Sequence, residues 1–447
     1  MLWRAKEINT LVGLEAKGHP NLAGAIVQGI QIDSRSVKPG DLFIPLAPPV
    51  GVRDGHDYID EAFRRGAVAA LSSKPSSQER VIRVSNTFDA LVTLGRSARR
   101  RLSSQAPVIA ITGSSGKTTL RSWIEHVISA FDETHASESS FNNHLGVPLS
   151  LARMPASTRY GIFEVGTNHP GEIGPLSDQI EPDIAVVLNV LPVHIGNFDG
   201  IDDLRAEKLS IASGLKPHGT LVIERPLAGH VDGRTRTFDA GSDANVSISA
   251  SATGPDLNAV IDGQAYPVVL PALGTHLQAT AAACLAVVDL LGLDVPKAIR
   301  QLRSAPIPKG RGNRQYIQGI TLIDESYNAN PESMRLALTS LSQEAAGRIH
   351  LILGEMHELG DFSLSAHQNV LDWAEGFHRC YTVGPGFYAS SLDRGVPHYE
   401  NSDAFDIGSF VQDLNQGDTV LVKGSNKVFW AEQFVQRLEA ALQQRET

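Results

Sequence analysis

The stretch Val108-Ile-Ala-Ile-Thr-Gly-Ser-Ser-Gly-Lys-Thr-Thr119 places a short apolar run directly before a glycine-containing turn and a helix-like sequence. Residues 108–112 predict a buried parallel strand, and Gly113 and Gly116 predict the break between that strand and a helix. Backbone N–H groups in such a turn, together with the helix dipole, form a binding site for phosphate. The stretch therefore predicts a nucleotide-binding strand, loop and helix.

The residues after the glycines carry the chemistry of this loop. A lysine at the position of Lys117 reaches the β- and γ-phosphates, and the hydroxyl of Thr118 is a ligand for Mg²⁺. The pattern is incomplete, because Ile111 stands where a full phosphate loop has its first glycine. The alternative is an ordinary strand-to-helix turn with a surface lysine. The residues predicted to bind the nucleotide here are Gly113, Ser114, Ser115, Gly116, Lys117, Thr118 and Thr119.

Length and composition predict a soluble globular protein of about three domains. The chain has 447 residues, of which 42% are hydrophobic and 20% charged. A formal charge of −10 argues against general nucleic-acid binding. The arginines at 96, 99, 100 and 101 are the local exception, and we interpret them as a solvated helix face. Two cysteines, no long apolar segment and no signal-like N-terminus predict a cytoplasmic protein without a membrane span.

Two polar residues lie at the ends of further predicted strands. Glu164 lies near the end of the strand predicted over residues 160–166, and His194 follows the strand predicted over residues 183–190. In open α/β sheets, ligands collect outside the carboxyl ends of the strands. We therefore expect Glu164 and His194 beside the phosphate loop, where they could bind a metal that a nucleotide carries. A lone histidine without this placement is more often structural.

The region before the loop predicts a small α/β unit. Short apolar runs alternate with turn residues over residues 26–71. Two polar groups stand out, Asp33-Ser-Arg35 and Asp54-Gly-His-Asp57. Turn chemistry alone explains either group, because Asp, Ser and Gly favour turns.

The region after the loop ends in a second series of strands and helices. The alanine-rich stretch 274–291 predicts a buried helix. Residues 305–314 have the proline and glycine content of a linker, in which Arg311 and Arg314 could bind phosphate. Beyond it, alternating strands and helices predict a parallel, Rossmann-like sheet, with a last helix from Lys427.

Taken in order, these segments resemble the Mur ligase family nearly from end to end. The resemblance rests on the loop and strand-end motifs above and on four further stretches. These are Phe141-Asn-Asn-His-Leu-Gly-Val-Pro-Leu149, Asp324-Glu-Ser-Tyr-Asn-Ala-Asn-Pro331, Leu353-Gly-Glu-Met-His-Glu-Leu-Gly360 and Val422-Lys-Gly-Ser425. The Tyr-Asn-Ala-Asn-Pro string is particular to the branch that adds D-alanyl-D-alanine.

The resemblance implies an α/β protein of three domains. Residues 1–85 would form a small α/β domain that binds a UDP-sugar. Residues 86–310 would form a central phosphate-loop ATPase domain with a mostly parallel sheet. Residues 311–447 would form a Rossmann-like domain that binds the incoming amine.

The resemblance also implies an activity. The chain would be a monomeric, ATP-dependent ligase that joins D-alanyl-D-alanine to UDP-N-acetylmuramoyl-tripeptide through an acyl phosphate, in peptidoglycan synthesis. Two Mg²⁺ ions would take part, one held by Thr118 and Glu164 and the other near His194. Lys208, which composition alone describes as a solvated surface lysine, would be carbamylated and would supply metal-binding oxygens.

The remaining site residues are carried over in the same way. The catalytic group would comprise Lys117, Glu164, His194 and Lys208. From the third domain, Arg311 would contact phosphate and Glu325 the ribose. The residues that would bind the other substrates are Ser34, Arg35, Asp54, His56, Asn142, Asn143, Tyr327, Asn328, Lys423 and Ser425.

The chain departs from the family pattern at several positions. Leu277 and Thr280 stand after His276 where asparagines are usual, and Asn426-Lys427 stands where an arginine is common. These differences concern nucleotide and acceptor contacts. They leave open a paralogue that forms an amide from another acid and amine. A non-catalytic nucleotide-binding protein is a third hypothesis, against which the intact set of catalytic residues argues.

Overall fold

The computed structural model describes residues 2–14, 24–138, 141–193, 195–241, 244–250, 256–272, 275–344 and 347–445. Its described strands form sheets of four, nine and six strands and one two-stranded pair. Each large sheet comes from its own stretch of the chain, in the order in which the sequence predicts three α/β units. The domain boundaries after residues 85 and 310 stay predictions.

The first unit is a four-stranded parallel sheet, in the order β3-β4-β5-β6, beside the antiparallel pair β1 and β2. Its strands are β1 (Trp3–Arg4), β2 (Ile26–Val27), β3 (Gly29–Gln31), β4 (Asp41–Phe43), β5 (Ala69–Ser72) and β6 (Val81–Arg83). Its helices are α1 (Ala5–Val12) and α2 (Ile59–Arg64), and α3 (Thr87–Arg100) follows. Leu91 and Leu94 of α3 share a core with Ile30 and Leu71 of the sheet.

The middle unit is a nine-stranded sheet in the order β15-β14-β13-β12-β11-β10-β7-β9-β8. The strands from β7 to β13 run parallel, and β14 and β15 are antiparallel additions at one edge. The strands are β7 (Val108–Thr112), β8 (Thr134–Ala136), β9 (Tyr160–Glu164), β10 (Ile184–Val187), β11 (Thr220–Glu224), β12 (Thr235–Asp239), β13 (Val246–Ala250), β14 (Leu257–Ile261) and β15 (Gln264–Val268). The helices are α4 (Lys117–Ile128), α5 (Gly146–Ala152), α6 (Ile173–Ile180), α7 (Ile201–Leu209), α8 (Thr275–Leu290) and α9 (Val295–Leu302).

Burial in this unit follows the sequence pattern. Every residue of β7 is buried, as a strand with neighbours on both sides and helices on both faces requires. Helix α8 is buried as predicted, and its residues from Ala281 to Val288 are inaccessible to solvent. They pack in one core with Trp123 and Ile124 of α4. The helix that carries the phosphate loop is therefore fixed on the sheet.

The last unit is a six-stranded sheet in the order β16-β17-β21-β18-β19-β20. It is parallel except for β16, which pairs antiparallel with β17. The strands are β16 (Asn313–Ile317), β17 (Ile320–Glu325), β18 (Ile349–Gly354), β19 (Arg379–Val383), β20 (His398–Tyr399) and β21 (Thr419–Lys423). The helices are α10 (Pro331–Glu344), α11 (Ser363–Trp373), α12 (Tyr388–Arg394), α13 (Ile407–Gln412) and α14 (Phe434–Gln443). The prediction of a parallel Rossmann-like sheet is confirmed.

Two predicted helix bounds in these units are wrong. The helix expected from Lys427 begins at Phe434, because Gln433 has a left-handed backbone (φ 50°) and the residues before it form turns. The sequence of residues 202–215 also predicts a helix over the whole stretch, but α7 ends at Leu209 and the chain continues as a 3-10 turn over Ser210–Gly214.

The arginine cluster is only partly a solvated face. Arg96 and Arg100 are exposed, whereas Arg99 is buried and donates to the carbonyls of Ile180 and Glu181. Arg101 stacks its guanidinium 3.7 Å from the Trp3 ring centroid and donates to two carbonyls. Helix α3 packs against the units on both sides of it, so arginines near its C-terminal end become buried hydrogen-bond donors. The spacing of the arginines in the sequence does not reveal this burial.

In the described part of the chain, no helix combines the length and the apolar character that crossing a membrane requires.

Candidate active site

The loop between β7 and α4 has the shape that phosphate binding needs. Gly116 has a φ of 79°, and a Cβ at this position would lie 2.8 Å from Leu188 Cδ2, so the position requires glycine. Lys117 is the first residue of α4. The first N–H groups of a helix have no intrahelical acceptor and lie at the positive end of its dipole. The start of α4 therefore presents several donors to an anion.

Asn189, which follows β10, holds the loop in place. The Ser114 N–H donates to the Asn189 carbonyl at 3.1 Å, and the Ser115 N–H donates to Asn189 Oδ1 at 2.9 Å. These two N–H groups are thus occupied within the protein, contrary to the expectation that they are free to bind phosphate. The N–H groups at the start of α4 remain as donors for phosphate.

A buried pair of oxygen groups lies beside the loop. The Thr118 hydroxyl donates to Glu164 Oε2 at 2.9 Å, and Asn142 Nδ2 donates to Glu164 Oε1 at 2.8 Å. Thr118 and Glu164 are each 3% exposed. Glu164 is the last residue of β9, which pairs directly with β7. The register of the two strands brings the carboxylate to the hydroxyl, as the strand-end argument predicts.

Two lysines share this region, and burial lowers the pKa of both. Lys117 donates from Nζ to the Gly113 carbonyl at 2.7 Å. Burial lowers the pKa of Lys117, and the Arg311 charge lowers it further. Lys208 is 2% exposed, and burial, helped by the Lys117 charge, lowers the pKa of Lys208 to about 7. The description of Lys208 as a solvated surface lysine is wrong.

These groups line a cavity of about 920 Å³ between the middle and last units. The volume is at the upper end of the range typical of small-molecule sites. Residues of the phosphate loop, β9 and α7 form one wall, and residues that follow β17, β18 and β21 form the other. The carboxyl ends of both sheets thus face a common space.

The wall from the last unit is held by aromatic and ionic contacts. The Arg311 guanidinium lies 4.3 Å from the Tyr327 ring centroid, and the Tyr327 ring packs edge-on against Trp430 at 5.3 Å. Glu325 and Lys423, at the ends of neighbouring strands, form an ion pair of 2.7 Å. The cavity therefore has cations on both walls, as a polyanionic ligand requires.

Comparison with known proteins agrees with this arrangement. Three family models match the chain: "Mur ligase family, catalytic domain" over residues 26–99, "Mur ligase middle domain" over 111–288, and "Mur ligase, glutamate ligase domain" over 310–426. The UDP-N-acetylmuramoyl-tripeptide–D-alanyl-D-alanine ligase of Rickettsia prowazekii is 30% identical, over 96% of this chain and 98% of that protein. The chain belongs to the Mur ligase family.

Further relatives place the similarity within one branch of the Mur ligases. The ligase of the same name from Bacillus subtilis is also 30% identical, over 91% of this chain and 92% of that protein. The crystal structure of MurF from Acinetobacter baumannii superposes with a TM-score of 0.83 at 27% identity, over 98% of this chain and 99% of the other.

The Mur ligase fold brings most of the predicted site residues into one cavity. The predicted residues that line it are Ser114, Ser115, Gly116, Lys117, Thr118, Thr119, Asn142, Glu164, Lys208, Arg311, Glu325, Tyr327, Asn328, Lys423 and Ser425. Gly113 contributes its carbonyl to Lys117. The roles of these residues in binding or catalysis stay predictions.

The other predicted residues lie elsewhere. Ser34 and Arg35 pair with Glu61 and Asp33, and His56 contacts Asp54 at 2.6 Å, all within the first unit of this Mur ligase and away from the cavity lining.

Asn143 does not line the cavity but accepts from the N–H groups of Leu145 and Gly146, at the start of α5. His194 lies outside the described residues.

Two residues to which the sequence analysis gave no role in the site hold it together. Asn189 holds the phosphate loop through its two hydrogen bonds. Its position at the carboxyl end of a strand could have identified it from the sequence. Asp324 accepts from the Gly310 N–H at 3.1 Å and from the Ser326 hydroxyl at 2.6 Å. It ties the segment that carries Arg311 to β17, and the sequence offered no signal for that contact.

Of the positions that depart from the family pattern, Leu277, Thr280, Asn426 and Lys427 all line the cavity. The side chain of His276 lies outside what the structure describes.

Proposed function

We propose that this Mur ligase joins D-alanyl-D-alanine to UDP-N-acetylmuramoyl-tripeptide with ATP as the energy source, a reaction of peptidoglycan synthesis. The observation that carries the proposal is the cavity between the two sheets. The phosphate loop and the Thr118–Glu164 pair form one side, and the Tyr327–Asn328 and Lys423–Ser425 strand ends form the other. One space can thus hold the nucleotide, an acid and an amine together.

The physical difficulty of the reaction is the repulsion between anions. The tripeptide carboxylate attacks the γ-phosphorus of ATP, giving an acyl phosphate and ADP, and the amine then displaces phosphate to form the amide. Pre-positioned cations and N–H donors lower the barrier to phosphoryl transfer by stabilising the charge. In this chain the start of α4, Lys117 and Arg311 would supply them.

The residues beside the loop fit Mg²⁺. Mg²⁺ prefers oxygen ligands and is commonly held by one or two carboxylates together with substrate phosphates. The Thr118 hydroxyl and the Glu164 carboxylate offer such oxygens 2.9 Å apart. When bound, Mg²⁺ would neutralise phosphate charge and orient the γ-phosphate.

Lys208 fits the carbamate that the family resemblance implies. Carbon dioxide adds only to a neutral amine, which releases a proton and becomes an anionic carbamate. Burial and the nearby Lys117 charge lower the pKa of Lys208 to about 7, so that the neutral amine is accessible near neutral pH. The carbamate oxygens would serve a second Mg²⁺ together with His194.

The remaining roles follow from position. Arg311 would bind phosphate and Glu325 the ribose, while Lys423 would stay within reach of Glu325. The residues proposed to hold the acceptor dipeptide are Tyr327, Asn328, Lys423 and Ser425. The residues proposed to hold the UDP-linked tripeptide are Ser34, Arg35, Asp54, His56, Asn142 and Asn143.

We also propose that the protein acts as a monomer in the cytoplasm. A single chain supplies both walls of the cavity, so the site does not need a second copy. The chain has only two cysteines, of which Cys284 is buried, and a reducing compartment suits such a chain.

The competing proposal is a paralogue that uses another acid or amine. Its support is the set Leu277, Thr280 and Asn426 in the cavity wall. Similarity to UDP-N-acetylmuramoyl-tripeptide–D-alanyl-D-alanine ligases over nearly the whole chain favours the first proposal.

Phosphate release from Mg·ATP tests the proposal, with the muramoyl tripeptide and D-alanyl-D-alanine added separately and together in the presence of bicarbonate. We expect release only when both are present. No release with either substrate or with both, from protein that still binds ATP, would favour the paralogue.

A further inference from the structure

Glu207 precedes Lys208 in α7 and serves a different surface of that helix. Lys208 lines the cavity, whereas the Glu207 carboxylate contacts the segment before α6. Glu207 is buried, with 7% of its surface exposed. A carboxylate is rarely buried without partners, because losing water around the charge is costly.

The partners of Glu207 are the backbone donors at the start of α6. Oε2 accepts from the Gly171 N–H at 2.7 Å, and Oε1 accepts from the N–H groups of Glu172 and Ile173 at 3.0 and 2.8 Å. These are groups that a helix cannot satisfy by itself, and a negative charge there also interacts favourably with the helix dipole. One side chain thus joins α7 to α6.

The segment that Glu207 fixes is part of the active site. It follows β9 directly after Glu164, and Gly166, Thr167 and Asn168 line the cavity. Glu172 folds the same segment, because its Oε2 accepts from the Asn168 N–H at 2.7 Å and from the Thr167 hydroxyl at 2.9 Å. The Glu164 and Lys208 sides of the cavity are therefore connected through Glu207.

We propose that Glu207 is a positioning residue, which sets where Lys208 and the segment after Glu164 stand relative to each other in the cavity. The inference rests on the proposed function, since it assigns to Glu207 the placement of the Lys208 group that would serve Mg²⁺. Glu207 itself would touch neither substrate nor metal. Outer residues of this kind commonly affect metal affinity and activity without binding the metal.

Replacing Glu207 by glutamine keeps the volume of the side chain but removes its charge and one accepting oxygen, so it tests the hydrogen bonds and not the packing. An amide has only one accepting oxygen. The glutamine of Glu207→Gln can therefore keep the hydrogen bonds made by one carboxylate oxygen, but it places an NH₂ group against the N–H that donated to the other oxygen. Glu207→Asp keeps the charge but shortens the side chain by one methylene. Asp202→Asn is the matched control, because Asp202 is on the same helix, its side chain is 86% exposed, and the charge change is the same.

The experiment measures three quantities on full-length protein: the Mg²⁺ concentration at half-maximal binding of ADP, the occupancy of a ¹³C-bicarbonate-derived carbamate at Lys208 by NMR, and the thermal unfolding midpoint. We expect Glu207→Gln to raise the Mg²⁺ requirement about 10–100-fold. It should also lower the carbamate occupancy at limiting bicarbonate, with recovery at high bicarbonate. Glu207→Asp should lie in between, and Asp202→Asn should behave as the wild type.

Three results would overturn the inference. The first is folded Glu207→Gln protein with wild-type Mg²⁺ and bicarbonate dependence. The second is a loss of binding that merely follows the unfolded fraction. The third is the failure of both Glu207 variants to fold, which would make Glu207 a stability residue. ADP binding and carbamate formation need no muramoyl substrate, so wild-type protein that shows both without ligation would refute the proposed function alone.

Discussion

Thr118 and Glu164 are 46 positions apart in the chain and touch in the fold. The sequence could predict their meeting, because the loop that follows one parallel strand and the last residue of the neighbouring strand lie at the same edge of the sheet. The burial of Lys208 could not be predicted in that way. Helix α7 has polar residues all round, so its inner face cannot be read from hydrophobic periodicity. Only the family resemblance pointed to this lysine.

Replacing Lys117 by alanine tests the role of the phosphate loop. The change removes the cation nearest to the loop, and loss of one such charge-stabilising group typically costs about 100–1,000-fold in rate. We expect phosphate release in the complete reaction to fall by that factor. Lys6→Ala, at an exposed position of α1, is the control and should leave the rate unchanged. A Lys117→Ala rate within a few-fold of the wild type would show that Lys117 does not act on phosphate.

The pH dependence of carbamate formation tests the environment of Lys208. The pKa of Lys208 is lowered from 10.5 to about 7, so the neutral amine that accepts carbon dioxide dominates above that pH. At fixed dissolved carbon dioxide and without nucleotide, we expect the ¹³C label at Lys208 to rise as the pH increases through about 7. A rise that begins only near pH 10 would mean that Lys208 behaves as an ordinary solvated lysine.

At the level of helices and strands, apolar composition predicted burial better than the pattern of charged residues did. The alanine-rich stretch had to be buried, and α8 is. The arginines of α3 gave no comparable signal, because the same spacing of arginines occurs on a solvated helix face and where the side chains are buried hydrogen-bond donors. Arg99 bonds to the last carbonyls of α6 and pairs with Asp183 at 3.0 Å. Such long-range partners belong to the packing of elements and are not encoded locally.

Arg99→Ala tests this joint between helices. The change leaves the carbonyls of Ile180 and Glu181 and one side of Asp183 without their buried donor, so we expect a loss of about 2–4 kcal/mol in unfolding free energy. The measurement is urea unfolding of the purified protein. Arg96→Ala removes an exposed arginine from the same helix and should change the free energy by less than about 0.5 kcal/mol. Equal effects of the two changes would contradict the assignment of Arg99 as an anchor.

At the level of the whole molecule, the order of three α/β units was predictable, but the cavity between the middle and last units was not. The alternation of strands and helices indicates parallel sheets, whereas the meeting of two sheets at their carboxyl ends depends on the linker. Asp324 fixes that linker through the Gly310 N–H. The antiparallel strand β16 was missed because it begins within the last two residues of the segment that the sequence presents as a linker.

A cross-link between the two walls tests whether the molecule must open. A Cβ at Gly196 would lie 3.3 Å from the Gly360 nitrogen, and a Cβ at Gly360 would lie 3.6 Å from Gly196 Cα. The two backbones are close enough for a cross-link, so we expect the double variant Gly196→Cys with Gly360→Cys to form a disulfide on oxidation, at the cost of some strain from a cysteine in the left-handed backbone of position 360 (φ 53°). Product release commonly needs such a site to open, so we expect oxidation to slow turnover at least about tenfold and reduction to restore it.

The single variant Gly196→Cys is the control and should not respond to oxidation. A cross-linked protein that turns over at the wild-type rate would show that the two walls need not separate.

The most direct test of the central claim follows an oxygen atom. UDP-N-acetylmuramoyl-tripeptide labelled with ¹⁸O at both oxygens of its reacting carboxylate is incubated with Mg·ATP, bicarbonate and D-alanyl-D-alanine, and both products are analysed by mass spectrometry. If the protein joins the two substrates through an acyl phosphate, one ¹⁸O appears in the released phosphate for each pentapeptide formed. Unlabelled phosphate without pentapeptide would mean that the protein hydrolyses ATP with water, and the ligase assignment would be wrong.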